Sequence, residues 1–336
     1  MDSLRNCEPA LRRTWMALCR SDEATETPRA HRLLGEEWVV WRRASGGLRV
    51  FANQCPHRLA PLTTGWCEGD SLRCGYHGWL FDSDGQCVEI PALGDGAIVP
   101  PRARLRAPAG VHESHHMIYV ALETPWEAPP EVALARDATF MRGDLTVMRA
   151  RASAGLLADN FLDVAHFPFV HRGTFGAESE REVPAYHVTR EGDGFSAVYE
   201  HDFANREDPG VASGERPLIQ RRRLTYRYRA PYHLELDIEF LDAGGRNVIG
   251  FFLVPEDNEW VRIYSSLWRN DLGGSLERMA EAVDFEVAVI DEDLALQAQY
   301  RTFTMPLDVT QEVHTRADRI TVELRRILAD IVNRVS

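Results

Sequence analysis

The chain contains no lysine; all 38 of its basic residues are arginine. This removes whole classes of chemistry: a P-loop lysine for nucleotide hydrolysis, a Schiff-base lysine for pyridoxal phosphate, and any amine nucleophile. No Gly-x-Gly-x-x-Gly follows a strand-like run, so nothing points to a bound dinucleotide. Long apolar runs are missing too. The longest, 248–254 and 117–122, have strand length and fall short of the roughly twenty residues of a membrane span. The N-terminus has no apolar h-region, so the expected location is cytoplasmic. A net charge of −13 argues against a nucleic-acid partner. Apolar content of 44% and charged content of 26% are ordinary for a globular protein.

What is present is a pair of short mixed motifs. Cys55-Pro56-His57 is followed by Cys74-Gly75-Tyr76-His77. Two thiolates and two imidazoles can hold a two-iron, two-sulfide cluster, with the Cys pair on one iron and the His pair on the other. Structural zinc also accepts two Cys and two His, but zinc hairpins group like ligands in each half, whereas here each half is mixed. The segment 55–79 resembles the Rieske domain of non-haem iron oxygenases. The resemblance implies a [2Fe–2S] Rieske cluster on Cys55, His57, Cys74 and His77. Of the other cysteines, Cys7, Cys19, Cys67 and Cys87, a free thiol is expected in each. A disulfide between Cys67 and Cys87, which flank the cluster loops, stays open.

The second constellation runs from Asp159 to His171. Two histidines and a carboxylate with open coordination positions suit a mononuclear Fe(II) that activates dioxygen. Residues 153–166 read as a helix capped by Ser153, with Asn160, Asp163 and His166 at successive steps of three. Pro168 is expected to break it and swing His171 back beside His166. The spacing N-x2-D-x2-H-x4-H is similar to the iron motif of Rieske oxygenase alpha subunits. The resemblance implies His166 and His171 as iron ligands, with Asp163 linking to the Rieske centre of a neighbouring subunit and Asn160 near the iron. A lone D-x2-H is ordinarily a surface or capping pair, and Cys-x-His is common by chance. Their occurrence together, in the family's order, is the specific signal.

The family takes its third ligand from a C-terminal helix. The matching stretch here is Asp291-Glu292-Asp293 ahead of Gln297. Asp293 is preferred because it continues the ladder of Phe285 and Val289 into an apolar stripe, where a carboxylate needs a counter-charge. Asp291 and Glu292 are expected to be solvated or paired with arginines. A second stripe, through Val283, Val287, Ile290 and Leu294, leaves the choice among the three acids open. Tyr76 is read either as a donor to a cluster ligand or as a packing residue. Gly75 replaces a proline common in the family, a change in loop stiffness. His115-His116 reads as surface or packing.

The fold class expected is α+β. Residues 1–125 form an all-β Rieske domain with strands at 37–43, 48–54 and 116–123, and 126–136 is a Pro-rich linker. Residues 137–336 form a helix-grip catalytic domain, an antiparallel sheet with helices at about 274–300 and 311–334. The second of these places Val313, Ile320, Leu324, Ile327 and Ile331 on one stripe. Pocket walls are expected from Leu157, Phe161, 226–232 and 251–254. The resemblance implies the terminal component of a multicomponent oxygenase, fed by a separate ferredoxin and/or NAD(P)H-dependent reductase and using O2 to monooxygenate a small apolar or aromatic substrate. Its expected assembly is a head-to-tail homotrimer. The alternatives are a ring cis-dihydroxylase, or a Rieske electron carrier, which would not need the residues beyond 125.

Overall fold

The computed structural model describes residues 3–131 and 137–335. Part of the expected linker, 132–136, lies outside the described residues. The chain separates into two units, Arg12–Pro129 and a larger one made of Met1–Leu11 with Pro130–Ser336. The boundaries read from sequence did not anticipate the first few residues joining the larger unit. They do so because β1 (Ser3–Arg5) pairs with a strand three hundred residues on, Ser3 opposite Pro306. Asn6 also bonds Ala152 O and the Ala154 N–H.

The smaller unit is built of three small antiparallel sheets. Its strands are β2 (Met16–Arg20), β3 (Arg29–Leu33), β4 (Glu36–Arg42), β5 (Leu48–Ala52), β6 (Trp66–Glu68), β7 (Ser71–Arg73), β8 (Leu80–Phe81), β9 (Cys87–Glu89), β10 (Gly110–Ser114) and β11 (Met117–Ala121). The orders are β3-β4-β5, β6-β7-β8-β9 and β10-β11-β2. His115 and His116 form the turn between β10 and β11, both with positive φ (54° and 62°). Primed hairpin turns require that conformation, which accounts for the pair without any metal.

The larger unit centres on one antiparallel sheet. In chain order its elements are β12 (Met141–Asp144), β13 (Met148–Arg151), α1 (Ala154–Leu162), α2 (Phe167–Val170), β14 (His187–Glu191), β15 (Gly194–Ala204), α3 (Pro209–Ala212), β16 (Ile219–Arg229), β17 (His233–Phe240), β18 (Arg246–Pro255), β19 (Trp260–Arg269), α4 (Leu276–Gln297), β20 (Thr304–Pro306) and α5 (Arg319–Asn333). The sheet runs β12-β19-β18-β17-β16-β15-β14, with β13 also on β19. Period-two alternation faces it: along β16, Gln220, Arg222, Leu224, Tyr226 and Tyr228 are buried, while Arg221 and Arg223 point outward to Asp202, Glu200 and Glu239.

Two helical expectations need correction. The helix capped by Ser153 stops at Leu162 rather than reaching His166. Asp163 turns extended, and its carboxylate accepts the Ala165 N–H at 2.7 Å, a local bond that competes with helix continuation. Pro168 does not break a helix; it sits in the first turn of α2, where a missing N–H costs nothing. The C-terminal helix begins at Arg319, not 311. Residues 309–311 and 316–318 are short 3-10 turns, and Val313 is 95% exposed. The capping box of Thr315 and Asp318 stops the helical pattern from extending further back.

Ile320, Leu324, Ile327 and Ile331 are fully buried on α5. Leu324→Ala should therefore cost about 2–5 kcal/mol of stability, whereas Val313→Ala should change it by less than about 0.5 kcal/mol. Urea unfolding of both variants checks the contrast, and equal losses would contradict this helix boundary.

Candidate active site

In the smaller unit, the two motif loops are built alike. The Cys55 N–H bonds Ala60 O and the Leu59 N–H bonds Cys55 O; the Cys74 N–H bonds Trp79 O and the Gly78 N–H bonds Cys74 O. Each loop closes through a left-handed residue four places after its cysteine, Leu59 (φ 58°) and Gly78 (φ 73°). The loops touch, since a Cβ on Gly75 would lie 2.2 Å from Thr64 O. Glycine at this position is thus a matter of close approach, beyond the loop stiffness expected from sequence.

Cys55 and Cys74 are buried in a core with Trp41, Phe51, Leu62 and Phe81. Burial, reinforced by the adjacent Cys74 thiol, pushes the Cys55 thiol up to about 12. The imidazoles lie on the outer side. His57 and His77 have ring centroids 4.5 Å apart, and His57 stacks on Trp79 at 4.6 Å. Tyr76 is exposed, with its ring against His77 at 3.9 Å. Two buried cysteines facing two imidazoles suit a cationic cluster that would hold them as thiolates.

In the larger unit, His166, His171 and Asp293 place one ligand atom each within 4.8 Å of one another. His166 is the residue before α2 and His171 the residue after it, so one short helix turns both rings to the same point. Their Nε2 atoms are 3.0 Å apart, and Asp293 Oδ1 is 3.4 Å from each. Ligands about 2.1 Å from a metal and at right angles would be separated by about 3 Å. Burial pushes the His166 imidazolium down, but the Asp163 and Asp293 carboxylates outweigh it and hold its pKa up at about 9. Burial prevails at His171 and lowers it. A site that draws positive charge this strongly fits a divalent cation.

Surrounding groups hold these three in place. The Asn160 side-chain amide donates to Asp293 Oδ1 at 3.0 Å and accepts from Gln297 at 3.1 Å. Asp163 lies 3.7 Å from His166 Nδ1, an ion-pair rather than a hydrogen-bond distance. Glu292 overturns its sequence reading: rather than facing water or an arginine, it accepts from His171 Nδ1 at 2.8 Å and from Thr174 Oγ1 at 2.8 Å. Sequence reasoning missed this positioning role. The available signal was that the residue beside Asp293 on its helix faces the flank of the same site. Asp291 is exposed.

The three groups open into a cavity of about 990 Å³ including its mouth, walled by Leu157, Phe161, Tyr226, Ile249, Phe251 and Val289. Leu157, Phe161, Tyr226 and Phe251 match the expected walls; Tyr228, Tyr232 and 252–254 do not line it. Phe161 stacks on Phe251 at 4.9 Å. The cavity also holds charge that sequence reasoning did not find, at Arg222, Glu207 and Glu286.

A small β unit carrying a two-Cys, two-His loop pair, joined to a helix-grip unit with a two-His, one-carboxylate site, defines a Rieske non-haem iron oxygenase, an oxidoreductase. The C-terminal 150–334 match the vanillate O-demethylase oxygenase C-terminal domain, and 14–103 match the Rieske [2Fe–2S] domain. The chain belongs to that family of oxygenases. It is 29% identical to methylxanthine N3-demethylase NdmB of Pseudomonas putida over 333 residues, 94% of this chain and 88% of that protein. It is 33% identical to the putative toluene-4-sulfonate monooxygenase iron–sulfur subunit TsaM2 of Comamonas testosteroni over 172 residues; that match spans 50% of this chain and about half (49%) of that protein. The structure of Pseudomonas putida NdmA with caffeine superposes with a TM-score of 0.84 at 23% identity, covering 98% of this chain and 93% of that one, which shows the shared fold. Among the described residues, no helix is long and apolar enough to cross a membrane.

Glu286 on α4 is buried and bonded only weakly, by Asn247 at 3.3 Å. Burial, then repulsion from Glu207, push its carboxyl up to about 7 against the pull of Arg269, Asn247 and Arg222. Between the ordinary value of 4.5 and about 7, the folded protein keeps a proton that the unfolded chain releases, so stability falls as pH rises through that window. Glu286→Gln should flatten that slope, which amounts to roughly 3 kcal/mol in all. Urea unfolding across pH 4.5 to 8 measures it, and an unchanged slope in the variant would refute the assignment.

Proposed function

We propose that this chain is the terminal oxygenase of a multicomponent system, monooxygenating or oxidatively demethylating a small organic molecule with an aromatic or similarly apolar body. The observation that carries the reading is the meeting of His166, His171 and Asp293 at an apolar cavity in a chain that also bears a Rieske domain. The activities named for the relatives, N-demethylation for NdmB and putative monooxygenation for TsaM2, support the reaction class.

Cys55, His57, Cys74 and His77 would hold the [2Fe–2S] cluster, and His166, His171 and Asp293 the Fe(II). When bound, these groups supply single electrons and the activation of dioxygen. The chain's own residues set the conditions. Asn160, held by Gln297, fixes the carboxylate of Asp293. Glu292 and Thr174 fix the His171 ring, and a carboxylate behind a ligating histidine sets its tautomer and basicity. Phe161, Phe251 and Val289 exclude water and leave the open side of the metal group to an apolar substrate. Asp163, beside His166, is the residue through which electrons would enter from a cluster. The protein works in the cytoplasm as a head-to-tail homotrimer, each subunit's cluster serving its neighbour, with electrons from a separate ferredoxin or NAD(P)H-dependent reductase. A cyclic heterologous interface closes a ring of three.

Three outcomes are expected. Asp293→Ala should lose mononuclear iron while keeping the Rieske absorption and EPR signal; full iron content in the variant would remove Asp293 from the ligand set. Glu292→Ala should weaken iron binding about 10–100-fold at unchanged cluster content. Co-assembled Cys55→Ser and Asp293→Ala chains, each inactive alone, should recover turnover, with one atom of ¹⁸O2 in the hydroxylated product or, on demethylation, in the formaldehyde released. Failure in trimers shown to contain both chains and intact remaining centres would refute electron transfer between subunits.

A further inference from the structure

Arg222 lies in the middle of three consecutive arginines on β16, and the strand's alternation turns it inward where its two neighbours turn out. It is 4% exposed and lines the same cavity as His166, His171 and Asp293. Its Nε is fully enclosed and has no hydrogen-bond partner among the described residues, and no carboxylate pairs with the guanidinium. Its immediate surroundings are three aromatic faces, with Cζ 4.3 Å from the Phe203 ring centre, 4.9 Å from Phe175 and 5.7 Å from Phe167. Phe175 in turn stacks on the His171 ring at 4.8 Å. One aromatic ring therefore separates the guanidinium from the metal group.

A buried guanidinium with unpaired donors is costly, and aromatic faces offset only part of that cost. The neighbouring charges do not complete it. Glu207 is occupied by Arg269 at 2.8 Å, and Glu286 takes its hydrogen bond from Asn247. Across the strands, Arg222 faces His201 and Phe240. His201 is held neutral, its pKa lowered to about 4 by burial and then by Arg222. Asn247 Oδ1 is also enclosed without a partner among the described residues, so this end of an otherwise apolar cavity carries unused polar capacity.

Resting on the oxygenase reading above, we propose that Arg222 is a specificity-determining residue that takes an oxyanion of the substrate, a carboxylate or sulfonate. The planar guanidinium presents paired N–H donors that match such a group two at a time. The substrate's apolar body then lies along Phe161, Phe251 and Val289, with its far end at the metal group. Burial pushes the Glu286 carboxyl up, and in its protonated form it donates to the anion instead of repelling it. Arg222 holds and orients the substrate, and the bond to be oxidised is elsewhere on the molecule.

The test is equilibrium binding by calorimetry to the anaerobic, iron-replete holoenzyme, so that it does not depend on turnover. The probes are matched pairs: benzoate and benzamide, 4-methoxybenzoate and 4-methoxybenzamide, toluene-4-sulfonate and its sulfonamide. At least one anion should bind ten-fold or more tightly than its neutral partner. Arg222→Met should weaken that anion by about 10–100-fold and leave the amide unchanged, and Arg222→Lys should recover only part of the loss. Anions binding no better than amides, or no anion binding at all, would overturn the proposal from the parent protein alone, even if the variants do not fold. If anions bind through Arg222 but no probe or related compound is oxidised by the reduced enzyme, the oxygenase reading fails and the anion site stands. Oxidation of neutral compounds without anion binding would leave the oxygenase reading and remove the anion site.

Discussion

The meeting of His166 and His171 Nε2 at 3.0 Å, with Asp293 Oδ1 3.4 Å from both, is the constraint on which the larger unit depends. Left to themselves, two buried imidazoles and a carboxylate would not share so small a space; burial disfavours every charged form. They are held there by elements fixed independently. α2 is only four residues long and presents a histidine at each end, while Asp293 arrives on α4, more than a hundred residues later. The spot where the three meet is a concentrated demand for positive charge. The rest of the site can be understood as holding that demand still.

Two further contacts do the holding. Asn160 on α1 reaches the carboxylate and is itself reached by Gln297, so α1 and α4 are fastened beside the two histidines. The residue before it, Asp159, pairs with the almost fully buried Arg325 of α5 at 2.5 Å, tying α1 to the C-terminal helix. The sheet contributes the cavity, its inner face supplying Tyr226, Ile249 and Phe251 in alternating register. The same register sends Arg222 inward, so the cavity's fixed positive charge follows from strand geometry, not from a loop that could move aside.

In the smaller unit the corresponding constraint is the close approach of two similar loops. Each is closed by a backbone bond back to its cysteine carbonyl, and glycine at Gly75 lets them touch. The thiols point into the hydrophobic core and the imidazoles outward, so the two kinds of side chain are separated by environment as well as by sequence.

Much of this was legible in the chain. The convergence of the mixed Cys–His loops, of the His166/His171 pair and of the acid ahead of Gln297 could be read because side chains on one short turn or one helix face have fixed spacings. The strand runs were readable because a sheet with one buried face imposes a period of two. What the sequence could not reveal were outcomes of competition between local and distant bonds. α1 ends before Asp163 because that side chain bonds its own backbone, and α5 starts late because Thr315 and Asp318 cap each other. Glu292 and Arg222 carry ordinary surface identities; only the docking of α4 against α2, and of β16 between its neighbours, brings one against His171 and the other into the cavity. Spacing along the chain determines which groups can share a metal. The free energy of packing distant elements decides which other charges must lie beside it.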